Sequence, residues 1–144
     1  MLDTDQARTL CQALVERATT AGASAADAIY VADRSTSVEV RMGAIEQVGS
    51  AEGARIGLRL FDGARSASVA AADFSDEGLA QLVERARAMA AEAPEDPFAG
   101  LAPADLLEHT PPRGLELDDG AAVSPDALRA RALAAEQAGR AVPG

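Results

Sequence analysis

Three glycines recur at intervals of ten residues, Gly43, Gly53 and Gly63, and they constrain this chain more than any other feature. Between them lie segments in which apolar and polar residues alternate: TSVEVRM, AIEQVGSA, ARIGLRLFD and ARSASVAA. Such a spacing holds one strand of average length plus a tight turn, and glycine accepts the positive φ that hairpin turns demand. The pattern predicts an up-and-down antiparallel sheet, each strand paired with its neighbour in sequence. Val38, Val40 and Met42 share one face opposite Glu39 and Arg41, the signature of a half-buried strand. Ile45 and Val48 interrupt the alternation, which predicts a bulge or register shift near residues 46–47. Ile56, Leu58 and Leu60 oppose Gly57, Arg59 and Phe61, and Asp62-Gly63 reads as a type I′ hairpin turn into a last strand over 65–71. An earlier strand over 26–33 sets Ile29 and Val31 against Tyr30. The expectation is about five strands.

Two amphipathic helices flank the sheet. The first is predicted over 5–21, capped by Asp3 or Thr4, with Ala7, Leu10, Cys11, Leu14, Val15 and Ala18 in one stripe and Gly22 as its stop. The second begins at Ser75, with Asp76 and Glu77 placed well for the helix dipole. Its stripe is Leu79, Leu82, Val83, Ala86, Met89 and Ala90, Met89 serving as core filler, and it stops before Pro94. Five of the seven prolines then fall between Pro94 and Pro112, which predicts an irregular traverse with one helical turn at 104–107. A last helix starts at Ser124-Pro125 and runs through Leu128 and Leu133 to Ala138. Its narrow, alanine-rich face would not hold a helix alone, so it is expected to pack on further structure. The fold class is α+β, a two-layer, largely antiparallel meander sheet on two helices with a further C-terminal helix. The expected division is a core at 1–93, a proline-rich segment at 94–123 and a C-terminal helix at 124–144, the start of further structure in a longer protein.

Composition narrows the functions available. With 23 acidic and 13 basic side chains the net charge is −10, the reverse of what a phosphate-binding surface needs. No direct nucleic-acid contact is expected. Residues 94–144 carry 9 acids against 4 bases, so the last third is the more strongly solvated part. The single Cys11 leaves no partner for an internal disulfide and suits a reducing cytoplasm. No apolar run approaches the ~18 residues of a membrane span, and MLDTDQARTL lacks a basic leader, so a cytoplasmic protein away from membranes is expected.

Catalytic motifs are absent. His109 is the one histidine, and Thr110 follows it, so no His-Glu metallopeptidase motif starts there; it is expected on an exposed loop. Cys11 lies in the first helix stripe as a structural thiol, and a zinc centre needs about three ligands held together. The pairs Glu95/Asp96 and Asp118/Asp119 read as solvated surface rather than a general acid and base. No phosphate-cradling glycine loop is present, and Gly57-x-Arg59 is a strand element. Arg41, Arg59 and Arg65 are expected as cross-strand partners of Glu39, Glu46 and Glu52. No catalytic, cofactor-binding or metal residue is assigned.

ARIGLRLFDGARSASVAAADFSDEGLAQLVERARAMA, followed by PEDPFAGLA and preceded by STSVEVRMGAIEQV, resembles the N-terminal region of the TldD/PmbA proteins, also called modulators of DNA gyrase. The resemblance covers about residues 5–140 and rests on Gly57-x-Arg59, the Gly63-x-Arg65 hairpin, the helix cap and the PEDPFAGLA loop in that order. It implies a metallopeptidase system of two related subunits, one with a zinc site built on His-Glu-x-x-x-His and one without it. The Glu-Asp-Pro loop is similar to the PmbA (TldE) branch. The implied role is structural, shaping a peptide channel and holding a homologous TldD-like subunit, with zinc on that partner and none in this chain. Two other readings stay open: a catalytic TldD-like peptidase whose site lies beyond residue 144, and a stand-alone module binding peptides at a sheet edge.

Overall fold

The computed structural model describes residues 1–108, 110, 114–117, 120 and 123–142. The elements in order are α1 (Thr4–Thr20), β1 (Ala25–Arg41), β2 (Ala44–Asp62), β3 (Arg65–Ala71), α2 (Asp76–Glu92), a 3-10 turn (Ala104–Leu106) and α3 (Pro125–Arg140). The strands form one sheet in the order β1-β2-β3. The α+β class and the antiparallel meander hold, with three strands in place of about five. The expected strands at 26–33 and 38–42 are one strand, and so are those around 45–48 and 56–61.

The physical reason lies in where the chain can reverse. Met42 and Gly43 have φ of 52° and 80°, so both central positions of the first hairpin are left-handed, as a type I′ turn requires. Met42 therefore belongs to the turn and not to the strand face beside Val40. Asp62 pairs with Arg65, which makes Gly63 and Ala64 the central residues of the second hairpin. Only Gly63 has positive φ there, at 60°, the pattern of a type II′ turn rather than the expected type I′. Gly53 turns nothing; it lies inside β2.

The chain divides into two compact units. The first comprises Met1–Ala32 and Gly53–Glu108. Here β2 pairs with β3 from Ile56↔Ala71 to Asp62↔Arg65. Ile56, Leu58 and Leu60 are buried against Leu14 and Ala18 of α1 and Leu79, Leu82, Val83, Ala86 and Ala90 of α2. Each buried Leu or Ile contributes about 1.5–3 kcal/mol relative to exposure, so this face holds the unit together. On β1 the covered side is Ala26, Ala28 and Tyr30, whose ring meets Phe74 edge-on at 5.7 Å, while Ile29 is 62% exposed. Met89 is also half out, at 49%, because it sits on the shoulder of the α2 stripe rather than at its centre.

Local chemistry fixes the helix ends. Asp3 and Gln6 form a reciprocal capping box, with Gln6 N–H to Asp3 Oδ1 at 2.8 Å and Asp3 N–H to Gln6 Oε1 at 3.0 Å. At the other end Gly22, at φ 101°, donates to Thr19 O at 3.0 Å, and Ala23 donates to Ala18 O at 3.1 Å, which is the Schellman pattern. The Ser24 hydroxyl donates to Phe61 O and accepts from Gly63 N–H, each at 3.1 Å, so the end of α1 is pinned to the second hairpin. Arg17 bridges α1 to Asp76 at the start of α2. Cys11 is half-buried against the core, and desolvation pushes its thiol pKa up, with a hydrogen bond to the Tyr30 backbone opposing this.

The second unit comprises Asp33–Glu52 and His109–Gly144. Its hairpin carries two exposed ion pairs, Arg34–Glu52 at 2.6 Å and Arg41–Glu46 at 2.9 Å. In α3, Ser124 Oγ accepts from Ala127 N–H at 3.2 Å and proline occupies the first turn, as the sequence predicts. Leu128, Ala132, Leu133 and Glu136 are half-buried along one face, and none of the helix is fully buried. The Glu136 carboxylate accepts from Gly43 N–H at 2.8 Å, tying the helix to the first hairpin turn.

The start of α2 yields two predictions. Ser75 Oγ accepts from Gly78 N–H at 3.1 Å, and Asp73 Oδ1 accepts from Ser75 N–H at 2.9 Å. A Cβ on Gly78 would stand 2.5 Å from Asp73 Cγ and 2.9 Å from its carbonyl oxygen. Gly78→Ala, which stabilises most helices, is expected here to destabilise by about 1–3 kcal/mol in denaturant unfolding. The hydrogen bonds from Ser75 hold the Asp73 carboxyl below its ordinary value of 3.8. Its contribution is thus fully present above that value and is lost as pH falls through the lower, folded one. Asp73→Asn should flatten the acid limb of a stability-against-pH curve measured below about pH 4 and leave its neutral plateau slope unchanged.

Candidate functional site

The sheet of the first unit is covered on one side only. Its other side carries Asp27 and Ile29 from β1, Gly57, Arg59 and Phe61 from β2, and Ser66 and Ser68 from β3. Residues alternate between faces, so Arg59 and Phe61 follow directly from the burial of Leu58 and Leu60. Arg59 donates Nε–H to Asp27 Oδ1 at 3.1 Å and its Nη2 to Asp27 Oδ2, a bidentate pair across neighbouring strands. The carboxylate bonded to it raises the Arg59 pKa further. The same guanidinium lies 5.2 Å from the centre of the Phe61 ring, which is buried beneath it. Gly57 keeps the middle low: a Cβ there would come within 3.2 Å of Ile29 Cγ2. The result is a shallow open concavity of about 490 Å³ over Gly57, walled by Ile29 and the Asp27–Arg59 pair.

A second organised feature is the loop after α2. Arg65 donates to Ala91 O at 2.7 Å and pairs with Glu95 at 3.4 Å. It supplies from β3 the positive charge that the last turn of α2 lacks. Asp96 N–H donates to Ala64 O at 2.8 Å, Phe98 N–H to Asp96 Oδ1 at 2.9 Å, and Ala99 N–H to Asp96 O at 3.0 Å.

The expected arginine pairings are therefore met once. Arg41 bonds Glu46, but Arg59 takes Asp27 and Arg65 takes Glu95, while Glu52 goes to Arg34. The pairing of long strands decides this, since the nearest carboxylate on the open face comes from β1 and not from the hairpin partner. Glu95 and Asp96 serve as loop-forming groups. His109, Asp118 and Asp119 lie outside the described residues. Among the described residues, no three of His, Cys, Asp and Glu gather where they could hold a metal ion. Likewise no helix among them is long and apolar enough to cross a membrane.

The class defined by this geometry is a two-layer α+β domain with a one-sided antiparallel sheet. Residues 26–90 match the family model described as PmbA/TldA metallopeptidase domain 1, which spans the first unit's sheet and nearly all of α2. The chain belongs to the PmbA/TldD family as the carrier of that first domain. It is similar to the metalloprotease PmbA homolog of Haemophilus influenzae, at 35% identity over 124 residues, covering 86% of this chain and 27% of the relative. Metalloprotease PmbA of Escherichia coli O157:H7 is 34% identical over 102 residues, 71% of this chain and 22% of that protein. The chain thus spans about a quarter of the length of these relatives. A solved structure from Bacteroides thetaiotaomicron, described as a candidate modulator of DNA gyrase, shares the fold with a TM-score of 0.76 at 20% identity, over 88% of this chain and 29% of that one.

Arg59 is the side chain on which the open face turns. Arg59→Ala removes both the ion pair to half-exposed Asp27 and the cover over Phe61, and should cost roughly 1 kcal/mol in stability. A double-mutant cycle with Asp27→Ala should return a coupling of about 0.2–1 kcal/mol that shrinks at high salt.

Proposed function

We propose that this chain serves as the N-terminal structural domain of a PmbA (TldE)-like subunit in a two-subunit metallopeptidase, shaping the peptide channel and holding a TldD-like partner that carries the zinc. The observation that supports this most is the alignment with two PmbA proteins at 34–35% identity, extending from the family domain through the PEDPFAGLA loop. The sequence has one histidine, so the two-histidine zinc motif of a catalytic subunit is not encoded within these 144 residues. The domain contributes a scaffold whose core is aliphatic and which carries exposed ion pairs such as Arg59–Asp27 and Arg65–Glu95 on its surface. The lone thiol and acidic surface suit a cytoplasmic assembly without direct nucleic-acid contact. Co-purification with a TldD-like subunit from the same genome tests the reading. A stoichiometric complex that cleaves peptides, with zinc retained by the partner, is the expected result; absence of association overturns it.

A second reading is favoured by the names of the relatives, which describe each whole protein as a metalloprotease. In that reading the polypeptide is itself catalytic and its metal site lies beyond the matched region. Metal analysis of the full polypeptide separates the two. Stoichiometric zinc in the isolated subunit, with peptide cleavage in the absence of any partner, would replace the first reading by the second.

A further inference from the structure

We draw no further inference here: the strongest candidate, the shallow concavity over Gly57 on the open sheet face, has its one arginine, Arg59, already paired with Asp27, and nothing in the structure shows what covers it.

Discussion

Everything in the first unit depends on one row of side chains, Ile56, Leu58 and Leu60, being driven out of water on one face of β2. The strand's two-residue period then leaves Gly57, Arg59 and Phe61 on the opposite face. That single choice of face sets where α1 and α2 must lie, since their stripes have no other apolar surface of comparable size in the unit to meet. It also leaves a second sheet face that carries Ile29 and the arginine-covered Phe61. The core is aliphatic and alanine-rich, with Ala18, Ala86 and Ala90 fully buried where α1 and α2 meet the sheet.

Polar contacts act mainly as fasteners around this core. Ser24 joins the end of α1 to the second hairpin, Arg17 joins α1 to α2, and Arg85 donates to Ala70 O at 2.9 Å to join α2 to β3. Arg65 stands apart because it works at three places at once: beside the type II′ turn, at the C-terminal end of α2 and at the acidic loop. Surface ion pairs of this kind contribute little each in water, about 0–1 kcal/mol. Their value here is geometric, since they decide where the loop carrying Phe98 is held.

Much of this was legible in the sequence. Helix termini were readable because capping is local: Asp3 with Gln6, Gly22, Ser75 and Ser124-Pro125 each act within a few residues of themselves. The core face of β2 was readable from strict alternation over Ile56–Phe61, and the reversal points from Gly43 and Gly63. Strand number was not readable, because a glycine inside a strand and a glycine in a turn look alike without a partner strand. The destination of Arg59 and Arg65 was hidden for a related reason. Their carboxylates lie 32 and 30 residues away in sequence, and no local pattern links them.

The sequence by itself determined the α+β class, the helix boundaries, the buried face of β2 and the family to which the chain belongs. Those follow from periodicity, caps and a run of motifs, all of which are written over short stretches of chain. Only the tertiary structure decided that three long strands replace about five short ones, that Gly53 is strand and not turn, and that Ile29 and Met89 stand half outside. It alone showed that the PEDP loop is clamped by Arg65 with Phe98 turned outward. These outcomes depend on which strands and charges meet across dozens of residues, and such meetings are settled by packing of the whole unit rather than by any segment of it.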